Sequence, residues 1–176
     1  MMLERVSSDP TQSRLHAETI ATLIAAPVTK AKFSDREEII EICREEWEEQ
    51  QQFSFSQERL EQKIEDVLVR REGVIGIIRR SEIEAVMILQ ISQYWNSNDF
   101  CLEELLNFVR PRYRRSTNAK DMIQFAKRCS DELEIPLVIG VASNERTAAK
   151  IQLYERQLGK SCGRVFMYSK KVAAVS

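Results

Sequence analysis

The sequence predicts an α/β (α+β) fold in which a mixed central β-sheet is flanked by helices on both faces. Three observations predict it. Apolar residues recur at helical spacing in four stretches, β-rich apolar runs lie between them, and helix and strand alternate in the second half of the chain. The order read along the chain is β-α-α-β-β-β-α-β-α-β.

Length and charge set the limits. The 176 residues fit one domain large enough to bury its own core. Residues 1–27 mix Ser, Thr, Gln, Pro and Ala and read as a partly flexible N-terminal extension, with residues 28–176 as the single domain. Lys and Arg number 26 against 27 Asp and Glu, and this balance argues against a protein that coats nucleic acid. No apolar run approaches the roughly 18 residues that a membrane-spanning helix needs. Cys43, Cys101, Cys129 and Cys162 are far apart and the single histidine is His16, so no metal site is expected and the thiols read as buried and reduced. The first ten residues hold Glu4, Arg5 and Asp9 but no apolar signal core, which points to the reducing cytoplasm.

Each element has its own signal. Val28–Phe33 alternates apolar and polar residues as a half-buried strand does. Ser34 or Asp35 then caps a helix whose first turn carries Glu37 and Glu38, where the helix dipole favours carboxylates. Ile39, Ile40, Cys43 and Trp47 form its apolar stripe. The segment from Asp35 to Glu49 holds eight acids against Arg36 and Arg44, most simply read as a solvated face. Ser56 caps a second helix with Leu60, Ile64, Val67 and Leu68 on one side, and Gly73 ends that segment. Val74–Ile78 and Ile83–Gln93 flank a polar turn and read as a hairpin. Phe100–Val109 is a third β-run and stops before Pro111. Asn118–Glu134 is an amphipathic helix with Met122, Ile123, Ala126, Cys129 and Leu133 inward. Leu137–Val141 reads as a buried central strand, a helix runs from Asn144 to about Leu158, and Val165–Lys170 reads as a last strand.

The segment from Val109 to Lys120 carries the chemistry. It holds five positive charges and no acid in twelve residues. It lies between a strand and a helix N-terminus, where the first turn has no intrahelical acceptors for its N–H groups. Positive charge and open amides together suit a phosphate, and a diphosphate takes several amides at once. Ser116 and Thr117 add hydroxyl donors, and Asn118 and Ala119 are small enough for close approach. A solvated basic loop with an ordinary cap fits the charge equally well. A nucleic-acid patch is disfavoured, because Tyr113 alone offers a stacking ring.

These residues resemble a known motif. Val109, Pro111, Tyr113, Arg114 and Ala119 match the acyl-coenzyme A-binding pattern V-x-P-x-Y-R-x-x-G-x-G/A of the GNAT superfamily of N-acetyltransferases, with Thr117 in place of the first glycine. The form of Arg114–Lys120 is similar to variants in phage-encoded members. Leu137–Ser143 resembles the family's fifth strand. Asn144, Ala148 and Leu153–Arg156 resemble its following helix, with Asn144 about a turn further from the tyrosine than usual. Leu158 and Gly159 stand near the usual closing pair, with one residue inserted and no Phe. The resemblance spans roughly residues 28–170 and is strongest over 100–168.

The resemblance implies transfer of an acetyl group from acetyl-coenzyme A to an amine that attacks the thioester directly in a ternary complex. It implies Tyr154 as the acid for the departing thiolate. Spacing alone would make Tyr154 a packed aromatic. Glu103 and Glu104, adjacent on one strand, point to opposite faces, and either is a candidate base; a carboxylate over a half-buried sheet has a raised pKa. Val109 is implied to offer backbone groups to the pantetheine arm. Arg114, Arg115, Ser116, Thr117, Asn118, Ala119 and Lys120 are implied to cradle the diphosphate, and Asn144 to reach the pantetheine or cap its helix. Thr117 disfavours positive φ, so helical or extended dihedrals are expected there. The expected partner is a small-molecule or protein amine, with no specific nucleic acid and no membrane. Trp47, Phe53 and Phe55 are candidates for its cleft, although ordinary packing is the commoner role. Oligomeric state stays open, a homodimer included. The alternative is a degenerate binding module of the same fold.

Overall fold

A computed structural model describes residues 28–50, 53–141 and 147–162. The extension 1–27 and the strand expected at Val165–Lys170 lie outside the described residues, as does Asn144. The elements are β1 (Thr29–Lys30), α1 (Arg36–Gln50), α2 (Gln57–Leu68), β2 (Gly73–Arg79), β3 (Ile83–Gln93), β4 (Phe100–Val109), α3 (Asn118–Leu133), β5 (Leu137–Val138) and α4 (Thr147–Leu158). Among the described residues they form one sheet in the order β1-β2-β3-β4-β5. The first four strands are antiparallel neighbours, and β5 runs parallel to β4.

Two apolar clusters sandwich the sheet. Val74, Ile78, Ala85, Met87, Leu89, Leu102 and Val109 meet Met122, Phe125, Ala126, Cys129 and Leu133 of α3. The opposite face, with Ile75, Ile77, Ile83, Val86, Ile88 and Phe108, meets Ile39, Ile40, Ile42 and Cys43 of α1 and Ile64 and Val67 of α2. Helices therefore cover both faces, as the sequence predicts. Gly76 lets α3 close on the sheet, since a Cβ there would stand 2.6 Å from a ring carbon of Phe125. Ser56 caps α2 by accepting the Arg59 amide.

Two strands carry an extra residue. Ile78 pairs with Ala85 and Arg79 with Ile83, so Glu84 is bulged out of the ladder. Ile88 pairs with Leu106 and Leu89 with Glu104, so Leu105 is bulged likewise. The second bulge matters for the site. Glu104 and Asn107 are three residues apart and in a regular strand would face opposite sides. With Leu105 inserted, Glu104 lies opposite Leu89 and Asn107 opposite Met87, both of the α3 face.

Three expectations need correction. The strand expected at Leu137–Val141 is only Leu137–Val138, and Val138 is 37% exposed rather than buried. The strand expected at Val28–Phe33 is two residues long, because Phe33–Asp35 already turns as a 3-10 helix. Burial raises the thiols of Cys43 and Cys129 to about 12, and Cys101 is buried, but Cys162 is exposed.

Candidate active site

The short pairing of β5 opens the sheet. Leu102 pairs with Leu137 and Glu103 with Val138, and there the ladder between β4 and β5 ends. From Glu104 to Val109 the edge of β4 has no strand beside it among the described residues. Two adjoining cavities occupy the gap. One of about 200 Å³ is lined by Val109, Arg114, Ala119, Leu153 and Tyr154, with Glu49 on its rim. The other, of about 140 Å³, is lined by Glu46, Glu104, Leu105, Gly140 and Lys150. Asn107, Gln50, Lys150 and Tyr154 line both.

Tyr154 is placed by the middle of α4, which packs beside α3 through a Gln124–Gln157 hydrogen bond of 2.6 Å. Its hydroxyl donates to Glu104 Oε2 at 2.6 Å and accepts from Asn107 Nδ2 at 2.8 Å. Burial raises the Glu104 carboxyl to about 7, partly opposed by the Tyr154 hydrogen bond and the Lys150 charge. Burial and the neighbouring Glu104 charge raise Tyr154 well above the ordinary phenol value. Across neutral pH this leaves a carboxyl that can take a proton beside a phenol that keeps its own. Asn107 Oδ1 is buried with no hydrogen-bond partner among the described residues. Glu103 lies on the other face, opposite Gln90; it is exposed and accepts from Ser92 Oγ at 3.2 Å.

The basic segment divides into a held part and an open part. Arg110 is buried, and its guanidinium donates to Glu45 at 2.8 and 3.0 Å, to Glu82 at 2.9 Å and to the Ile83 carbonyl at 3.1 Å. Arg112 also pairs with Glu82, whose other oxygen accepts the Tyr113 hydroxyl at 2.5 Å. Asn118, expected against the ligand, is buried and donates instead to the buried Glu84 carboxylate at 2.9 Å. Thus the first bulge anchors the start of α3 to the hairpin. The hydroxyls counted as ligand donors have protein partners: Ser116 Oγ donates to the Tyr113 carbonyl at 2.6 Å and Thr117 Oγ1 to Asp121 Oδ2 at 2.7 Å.

The open part is backbone. The N–H groups of Arg115, Thr117, Ala119 and Lys120 have no acceptor among the described residues, whereas that of Asn118 is taken by Ser116 Oγ. Thr117 has φ −82° and ψ −3°, which any L residue adopts, so its side chain does not distort the turn. The side chains of Arg115 and Lys120 are exposed and make no ion pair with the described residues.

Sequence reasoning missed three site residues: Asn107, Glu46 and Lys150. Asn107 looks misplaced until the bulge is known. Glu46 belongs to the acidic run read as solvated; in the structure it is half-buried at the second cavity, and that burial raises its pKa. Part of the same run, Glu45 and Glu49, meets Arg110 and Arg114. The aromatic candidates sit elsewhere: Trp47 donates to the Phe53 carbonyl at 2.6 Å and packs on Phe55 with centroids 5.4 Å apart.

Solved acetyltransferases share this backbone. A predicted acetyltransferase from Clostridium acetobutylicum with acetyl-CoA superposes with a TM-score of 0.65 at 14% identity, covering 81% of this chain and 94% of that one. AAC(6')-Iy in complex with the bisubstrate analogue CoA-S-monomethyl-acetylneamine gives 0.64 at 16% identity, covering 82% and 97%. The chain has the GNAT fold. An aminoglycoside acetyltransferase from an uncultured soil metagenomic sample, in complex with sisomicin, shares the GNAT backbone with a TM-score of 0.60 at 13% identity, covering 81% and 93%. No protein-family model and no curated protein matches the sequence. Among the described residues of this GNAT fold no group of three His, Cys, Asp or Glu could hold a metal ion, and no helix is long and apolar enough to cross a membrane.

Proposed function

We propose that the chain is an N-acetyltransferase that moves an acetyl group from acetyl-coenzyme A to an amine by direct attack in a ternary complex. One observation carries this reading. The gap beside the open edge of β4 has unpaired amides at one end and the Tyr154–Glu104 pair inside it. The fit is chemical as well as spatial. A diphosphate needs several donors and positive charge, and the amides of Arg115, Thr117, Ala119 and Lys120 supply the donors with two exposed cations beside them. A pantetheine arm carries amides, and Val109 and the unpartnered Asn107 Oδ1 line the gap it would follow.

The roles follow from the proton positions. Acetyl-coenzyme A supplies the thioester whose carbonyl carbon the amine attacks. Glu104, poised near neutrality, removes a proton from the nitrogen. Tyr154 gives its hydroxyl proton to the departing sulfur as the C–S bond breaks and the C–N bond forms. Glu104, 2.6 Å away, returns its proton to Tyr154; the second proton of an ammonium substrate goes to solvent. This assigns the base to Glu104 and leaves Glu103, on the far face, outside the reaction. The acceptor is a small-molecule or protein amine; the aminoglycoside complex of the metagenomic neighbour supports the small-molecule choice.

The experiment is thioester cleavage followed by thiol release, with acetyl-coenzyme A and a panel of amines. Amine-dependent release is expected. Saturable cofactor binding with no release from any amine in the panel would favour the binding-module alternative.

A further inference from the structure

We infer that Glu49 is a positioning residue that sets the affinity of the cleft for acetyl-coenzyme A by holding Arg114 away from the diphosphate. The inference rests on the acetyl-coenzyme A reading and adds to it a residue outside the motif. Arg114 differs from its neighbours Arg115 and Lys120, which are exposed and unpaired with the described residues. Its Nη2 lies 2.7 Å from both Glu49 oxygens, its Nε donates to the Val109 carbonyl at 2.9 Å, and its guanidinium lies 5.2 Å from the centre of the Phe108 ring. Glu49, Val109, Phe108 and Arg114 all line the larger cavity. The pair therefore ties α1 to the basic turn at the wall of the cleft.

Two features favour this resting position. Glu49 stands in the last turn of α1, where the partial negative charge of the helix end adds to its own. The Val109 carbonyl belongs to the open edge of β4, as the neighbouring Arg110 amide bonds back to Glu84 of β3 and successive residues alternate in direction. Arg114 thus occupies a backbone acceptor that the gap would otherwise present to a ligand. A guanidinium fork suits a carboxylate and a phosphate equally well. A diphosphate arriving at the amides of Arg115 to Lys120 must compete with Glu49 for Arg114. The apparent affinity is then the intrinsic one reduced by the fraction of molecules in which Arg114 is released. Glu49→Gln keeps size and helix propensity but loses the charge.

The test is calorimetric titration of acetyl-coenzyme A into the full chain and its variants. Glu49→Gln should bind about threefold tighter than the natural sequence, the scale of a partly exposed ion pair. Arg114→Ala should bind more weakly, and adding Glu49→Gln to it should change nothing further. Glu48→Gln removes a neighbouring charge that does not touch Arg114, and should leave the affinity unchanged. Equal or weaker binding by Glu49→Gln overturns the role of Glu49. So does the same tightening in Glu48→Gln or in the Arg114→Ala background, since the effect would then be long-range charge alone. No binding to the natural sequence or to Glu49→Gln overturns the acetyl-coenzyme A reading itself.

Discussion

The Tyr154 hydroxyl donates to Glu104 at 2.6 Å inside the gap, so variants of the two should separate chemistry from binding. Tyr154→Phe removes the acid but keeps the ring against the cleft wall. Turnover should fall by about a hundredfold with acetyl-coenzyme A affinity unchanged, read by steady-state kinetics beside calorimetry. Glu104 also links activity and stability to pH. Its folded pKa of about 7 lies above the ordinary carboxyl value, so the folded protein binds more protons than the unfolded chain between about pH 4.5 and pH 7. Its contribution to stability is greatest at low pH and is lost as pH rises through 7. Glu104→Gln should therefore raise the melting temperature relative to the natural sequence at pH 8 and not at pH 4.5, while abolishing the rise in rate between pH 6 and 8. A pH-independent shift in melting temperature would remove Glu104 as the titrating group. Little of this was legible in sequence: Glu103 and Glu104 look equivalent until the strand's facing is known, and only register separates them.

At the scale of elements, the basic turn is built by its acids. Arg110 has a side chain only 7% exposed and reaches Glu45 of α1 and Glu82 before β3. Removing it leaves those two partly exposed carboxylates without the cation they share. Arg110→Ala should cost roughly 3 kcal/mol in denaturant unfolding. It should also weaken cofactor binding, because the turn that presents the free amides would lose its anchor. Gly76→Ala forces a methyl group against Phe125 and Val28, and about 1–3 kcal/mol of stability should be lost, with the site residues untouched. The elements themselves were readable, because apolar stripes such as Met122, Ile123, Ala126 and Cys129 report burial directly. The partnerships of charge were not. A run of eight acids looks like solvent-facing helix when the basic segment that neutralises part of it lies sixty residues away.

For the whole molecule, a ligand that binds only the folded chain stabilises it by mass action. Acetyl-coenzyme A at a hundredfold its dissociation constant should add about 2.7 kcal/mol and raise the melting temperature by several degrees. The gain should shrink in high salt and in Arg115→Ala, whose charge is exposed beside the free amides. No thermal shift in the natural sequence would count against cofactor binding at the gap. The architecture was legible because alternating helices and strands leave few ways to cover one sheet. The gap was not, since it depends on β5 pairing for only two residues.

Leu105 gives this strand an odd count, and its removal makes a sharp case. Deleting that one leucine would restore even alternation from Phe100 onward and leave Glu104 and Asn107 two residues apart on the same face, opposite Leu89 and Met87 as before. The phenol of Tyr154 would keep both its carboxyl and its amide neighbour. A chain shorter by a single apolar residue would thus keep every polar group of the cleft and lose only the bend and extra twist that the bulge gives the edge of β4.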